Sequence, residues 1–169
     1  MHEYDIAVLI PRLLLALIMF RHGYNHWRGP GGVQGTARWF GGLGLQPAIV
    51  HAWSSVLIEF AAAAGFLLGL FSPLASTATI AVMTVAGIAE HRKNGFFVFK
   101  EGYEYVLFIA GVCLSLAILG PGKYSLDRAF GIDDNLDGWA GAAIALVGVL
   151  GAAGMLAACW RPERKTATT

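Results

Sequence analysis

The sequence predicts an all-α integral membrane protein: four closely spaced membrane-crossing helices and a fifth, set apart, at the carboxyl end. Three observations carry that prediction. The 169 residues are 56% hydrophobic and only 14% charged, with a mean hydropathy of +0.59, far above the range of an ordinary soluble domain. Five apolar stretches, at 6–22, 50–71, 73–89, 103–120 and 139–160, approach the roughly 20 residues needed to cross a hydrocarbon core about 30 Å thick. Lys and Arg gather at alternate ends of those stretches. The formal charge is +1, so the chain carries neither a nucleic-acid footprint nor an acidic tail.

The first span follows the start MHEYDIAVLIPRLLLALIMF. This start lacks the basic region and small-residue cleavage site of a secretory signal and is expected to stay attached. The segment after it, GTARWFGGLGLQP, alternates small residues with Trp39, Phe40, Leu43 and Leu45. That pattern predicts a short interfacial helix near 34–46, either an anchor or a gate over a lipid-soluble ligand. Spans two and three are separated only by FSP; Pro73 suits the first turn of a new helix, so the two should form a tight antiparallel hairpin. The break LGPGKYSLDRAFGIDDNLDG then separates the fourth span from the fifth. No internal repeat is evident.

Orientation follows from the cations retained on the cytoplasmic side. Arg21, Arg28 and Arg38 lie in the first loop, Arg92, Lys93 and Lys100 in the third, and Arg161, Arg164 and Lys165 in the tail, all on one side. Lys123 and Arg128 in the fourth loop are outnumbered by Asp127, Asp133, Asp134 and Asp137. The amino terminus is therefore expected outside and the carboxyl terminus in the cytoplasm.

Charges inside hydrocarbon are costly and need a reason. Arg12 in span one and Glu59 in span two are such charges. Counted at about 1.5 Å per residue, they fall roughly 15 Å from His22 and 12 Å from His51, at similar depth on antiparallel helices. A buried ion pair is expected, with snorkelling as the alternative for Arg12 and a protonated carboxyl as the alternative for Glu59.

Polar residues also recur at helical spacing: His51, Ser55 and Glu59 in span two, Thr77, Thr84 and His91 in span three, Glu104, Gly111 and Ser115 in span four. Hydroxyl and small residues of this kind are usual helix-packing contacts in membranes. His22, His51, His91 and Glu104, with Glu90 nearby, fall at cytoplasmic helix ends and form a candidate ligand-binding or proton-handling vestibule.

Other chemistry is less well served. Cys113 and Cys159 lie at different depths and are not expected to form a disulfide, since their Cα atoms would have to approach within about 7 Å. The histidines sit at one membrane edge, and none pairs at mid-depth as a b-type haem would require. Nothing in the sequence suggests a metal site. The fifth span is nearly all Gly, Ala, Val and Leu; Gly148, Gly151 and Gly154 give it a thin surface for close packing, against the other spans or against a partner.

The runs RLLLALIMFRHGYNHWRG, GTARWFGGLGL, SVLIEFAAAAGFLLGLFSPLAS, EHRKNGFF, GYEYVLFIAG and GPGKYSLD, in this order over residues 12 to 128, resemble the DoxX family of small bacterial membrane proteins. The resemblance implies a four-helix bundle over 1–128 in the bacterial inner membrane, often linked to quinone-coupled sulfur or thiol oxidation. It brings no settled catalytic set but directs attention to Arg12, His22, Glu59, His91 and Glu104. The chain departs from the pattern in its acidic loop at 129–138, its extra span at 139–160 and its tail at 161–169.

Together these features imply a membrane subunit of a quinone-linked redox or respiratory assembly. Its ligand would be lipid-soluble, with Glu59 held by Arg12. No flavin, iron–sulfur or haem signature is evident, so quinone is the cofactor that the resemblance implies and electrons would enter from a partner. The alternative is a non-catalytic scaffold or accessory subunit of a larger complex, or a homo-oligomer, joined through the fifth span. A carrier ranks last, lacking inverted repeats and broken helices. An enzyme and an accessory subunit are both compatible with these residues.

Overall fold

The structure, a computed structural model, describes residues 2–133 and 136–162. Residues 134 and 135 of the expected acidic loop, and 163–169 of the expected tail, lie outside the described residues.

Helix α1 (His2–Arg28) begins with Glu3 and Asp5 in its first turn and ends with His26 and Arg28 in its last, a charge order that complements the helix dipole. It continues six residues beyond the expected end at His22. The chain then turns through Gly29, Pro30 and Gly31 into α2 (Gly32–Gly42), which buries Thr36 and Ala37. This is the short helix expected near 34–46.

Helices α3 (Ala48–Leu68) and α4 (Ser72–Ala86) form the expected hairpin. Gly69 closes α3 in the left-handed conformation at φ 60°, which glycine adopts without a Cβ clash. Pro73 stands in the first turn of α4. Beyond Ala86 the chain continues through a π turn (Gly87–His91) and a 3₁₀ turn (Arg92–Asn94). A compact loop then leads to α5 (Glu104–Leu119), followed by the short α6 (Leu126–Phe130) and α7 (Gly138–Cys159).

Among the described residues, four helical segments are long and apolar enough to cross a membrane: Glu3–Arg28, Ala48–Leu68, Ser72–Asn94 and Gly138–Cys159. Helix α5 is apolar but only 16 residues long. Among the described residues there is no strand, only an isolated bridge between Leu45 and Trp160. The chain is an all-α membrane protein, as its composition predicts.

Helix α1 packs chiefly on α3; α3 also packs on α4 and α4 on α5, while α2 lies across α1 and α3. Met19, Ala62, Phe66, Ile80, Met83, Ile109 and Cys113 share the core. Helix α7 is built into this body rather than appended to it: it packs extensively on α4 and also on α5. The Thr77 hydroxyl donates to the Ile144 carbonyl at 2.9 Å. Any side chain at Gly148 would collide with the backbone of Thr77, and one at Gly141 with the carbonyl of Ala117. Gly148 is thus an internal packing residue. Gly151 and Gly154 face outward with nothing near the position of a Cβ, so the three glycines divide between two faces.

Candidate functional site

The two buried charges stand in different places. Arg12 is 2% exposed and Glu59 is 1% exposed, yet they do not form the expected ion pair. The Arg12 guanidinium donates through Nη1 to the Pro121 carbonyl and through Nη2 to the Tyr124 carbonyl. It packs beside Gly69, where a Cβ would approach Nη1 to 2.7 Å. Glu59 instead faces Gly23, whose absent side chain leaves just enough room: a Cβ there would meet that of Glu59 at 3.3 Å.

Register explains the correction. The expected depth was counted from His22, but α1 runs to Arg28. Arg12 therefore lies about 16 Å along the helix from Gly23, the residue opposite Glu59.

At the Arg12 end the polar groups make a structural knot. Asp127, fully buried, accepts from the Phe71 amide at 2.7 Å and the Ser72 amide at 2.9 Å. Its own amide donates to the Gly69 carbonyl at 2.9 Å. A carboxylate at the start of α4 satisfies amides that have no partner within the helix and complements the dipole. It also holds Phe71, a non-glycine residue at φ 47°, in a conformation that costs free energy unless its surroundings enforce it. The expected break after the fourth span thus seats Arg12 through Pro121 and Tyr124 and caps α4 through Asp127.

At the other end, Glu59 belongs to a cluster with Ser55 and His26. The Ser55 hydroxyl donates to Glu59 Oε1 at 2.8 Å, and His26 Nδ1 lies 2.9 Å from Ser55 Oγ. Because the serine proton goes to the carboxylate, Ser55 Oγ acts as acceptor toward His26, which assigns the ring proton to Nδ1. His26 Nδ1 is also 3.2 Å from Glu59 Oε2. That separation is within ion-pair reach but lacks hydrogen-bond geometry, so among the described residues Oε2 is buried without a hydrogen-bond partner. Such an atom is costly to leave unpaired.

Helix α2 covers this cluster. The His26 ring lies 6.0 Å from that of Trp39 and meets Phe40 edge-on at 5.7 Å. The Thr36 hydroxyl donates to the His26 carbonyl at 3.0 Å. Glycines with positive φ flank the helix, Gly31 at 77° and Gly44 at 90°. The far side is tied to the end of α7: Arg161 donates its amide to Gly44 at 2.7 Å, the Gln46 amide donates to Cys159 at 2.9 Å, and Trp160 Nε1 donates to Leu43 at 2.8 Å. Arg92 in turn lies over the Trp160 ring at 5.4 Å.

The remaining candidates share this end of the bundle without forming one cluster. His51 Nε2 is 3.2 Å from the Gln46 carbonyl, and His91 Nδ1 is 2.7 Å from the Glu101 carbonyl. Glu104 Oε2 accepts from the Val98 amide at 2.9 Å. His22 is exposed, one turn before His26. His51, His91 and Glu104 thus each serve nearby backbone groups. Among the described residues no group of three or more His, Cys, Asp or Glu is placed to hold a metal ion, and both cysteines are free thiols.

His26 is the residue that sequence reasoning missed. Its signal was present: Arg12, Met19 and His26 recur every seventh residue and share the face of α1 turned to the core. A cleft of about 470 Å³ lies elsewhere, between α1 and α5, lined by Pro11, Phe108, Gly111 and Ser115 among others. It is apolar and does not include Glu59.

A family model, DoxX, matches residues 7–92. The inner membrane protein YqjF of Escherichia coli (strain K12) is 28% identical over 129 residues, covering 73% of this chain and 92% of the relative. The inner membrane protein YphA of the same organism is 33% identical over 128 residues, covering 73% and 89%. No solved structure matches.

Proposed function

This chain belongs to the DoxX family, and from that premise we propose that it is the ligand-binding membrane subunit of a quinone-linked redox assembly in the inner membrane. The quinone headgroup binds at His26, Ser55 and Glu59, beneath α2. The observation that carries this reading is the buried Glu59 Oε2, without a hydrogen-bond partner among the described residues, 3.2 Å from a histidine that also reaches the other carboxylate oxygen through Ser55.

Such an arrangement suits a carbonyl or hydroxyl ligand. A quinone carbonyl can accept a hydrogen bond from protonated Glu59 or His26, and a quinol hydroxyl can donate to either in its basic state. Reduction to quinol takes two electrons and two protons. His26 and Glu59 supply or accept protons, with Ser55 as the bridge, while the electron pair comes from a partner redox protein. Helix α2 acts as the gate: Trp39 and Phe40 offer flat apolar surfaces to a ring, and the flanking glycines allow movement. The amino terminus lies outside and the carboxyl terminus in the cytoplasm, which puts the relay near the inner face.

Titration of the purified protein with a short-chain benzoquinone, followed by calorimetry, tests this reading. Wild type should bind saturably, and Glu59→Gln and His26→Asn should each weaken binding about tenfold or more, the loss of one or more charge-assisted hydrogen bonds. Equal binding by wild type and both variants would refute the assignment.

A further inference from the structure

We propose that residues 95–103 form a rigid aromatic wedge seated in the bilayer among phospholipid acyl chains, completing the transmembrane depth that α5 alone does not reach. Three independent features support it. The first is length: 16 residues of α5 give about 24 Å, roughly 6 Å short of the hydrocarbon core.

The shortfall lies at the loop end. The Tyr4 hydroxyl donates to the Leu119 carbonyl, so the far end of α5 is level with the first turn of α1. Counting back at about 1.5 Å per residue brings Glu104 level with Met19 or Phe20, some 12 Å before the end of α1. The chain from Asn94 to Glu104 therefore climbs back alongside the helices.

The second feature is the surface it presents. Phe96, Phe97, Val98 and Phe99 are 43%, 50%, 52% and 77% exposed. Phe96 joins Tyr103 at 5.6 Å and Phe97 at 5.5 Å, and Phe97 stacks on Phe99 at 5.2 Å. Four consecutive apolar side chains around a continuous set of rings are unsuited to water. Exposed Lys100 follows Phe99 and can extend its ammonium toward the headgroups.

The third feature is the backbone. In hydrocarbon an irregular segment must satisfy its own polar groups. The amides of Lys100, Glu101, Gly102, Tyr103 and Glu104 all donate to carbonyls within 95–98, at 2.9 to 3.1 Å. Glu104 accepts the Val98 amide, and His91 and Asn94 both engage the Glu101 carbonyl. Closure of this kind lowers the cost of placing the loop in hydrocarbon. This gives Glu104 and His91 a task in holding the wedge, separate from ligand chemistry.

The test is a nitroxide at Phe99→Cys in a Cys159→Ala background, with buried Cys113 left in place. The protein is reconstituted alone in phosphatidylcholine vesicles. Collision rates with oxygen and with a water-soluble nickel chelate are compared with those of a label at lipid-facing Leu107→Cys. A second label at Val98→Cys guards against a local effect of one substitution. The wedge predicts oxygen access exceeding nickel access several-fold at both loop positions, as at Leu107. Nickel access exceeding oxygen access would put the loop in water and overturn the proposal. Shielding from both reagents would also overturn it, showing a second copy of the chain rather than lipid over the rings.

Discussion

The two ends of the bundle each bury a charge, and they treat it in opposite ways. Arg12 meets carbonyls through both terminal nitrogens, while Asp127 beside it receives two amides. Four groups that would otherwise be stranded are satisfied, and two connections, between α3 and α4 and between α5 and α6, are fixed by it. Glu59 has one oxygen hydrogen-bonded, while the other has no hydrogen-bond partner among the described residues and lies 3.2 Å from His26. A charge whose partners are backbone groups secures structure. One whose partners are titratable side chains, under a helix flanked by glycines, is arranged for exchange.

The sharpest way to break the comparison is to remove a charge from each end. Arg12→Ala or Asp127→Ala strands two backbone groups in the interior, at roughly 1–3 kcal/mol each, or about 2–6 kcal/mol together. Little folded protein should be recovered, as read by thermal unfolding in detergent. Glu59→Gln keeps an acceptor for Ser55 and should cost only about 1 kcal/mol, while ligand binding weakens about tenfold or more. Equal destabilisation at both ends would make Glu59 another structural charge.

Trp160→Ala should have a smaller effect on the fold. It removes a bond to Leu43 and the ring beneath Arg92, together about 1–2 kcal/mol. Its distinguishing consequence is faster hydrogen exchange in α2 than in α3, measured by mass spectrometry. Unchanged exchange in α2 would show that the end of α7 does not hold the gate.

Gly151→Leu should change least, within about 0.5 kcal/mol, because its side chain enters open space. Gly148→Leu should prevent folding. Native mass spectrometry of the Gly151 variant then bears on the accessory-subunit alternative. Loss of a larger assembly with an intact fold would place a partner on the outer face of α7, while an unchanged assembly would leave that face to lipid.

Much of the fold was legible because hydrocarbon imposes a length and a composition. The five apolar stretches, the hairpin at Pro73 and the helix around Trp39 all follow from that. Helix ends were less legible. The polar run RHGYNHWR reads as a loop by hydropathy but continues as helix, and this six-residue error moved Arg12 out of register with Glu59. The partners of Arg12 carry no side-chain signal at all, since Pro121 and Tyr124 contribute only carbonyls. Of the site, Glu59 and Ser55 were recognisable by their four-residue spacing, and His26 only once α1 was extended. His91 and Glu104, expected to line the vestibule, instead bond backbone groups of the loop between α4 and α5.

Infrared difference spectroscopy tests the central claim most directly, comparing ligand-free protein with protein bound to a short-chain quinone in reconstituted vesicles. A carboxyl carbonyl band should appear or shift on binding, vanish in Glu59→Gln and persist in Glu104→Gln. A band unaffected by Glu59→Gln, or abolished instead by Glu104→Gln, would contradict the account and move the chemistry away from the His26–Ser55–Glu59 cluster.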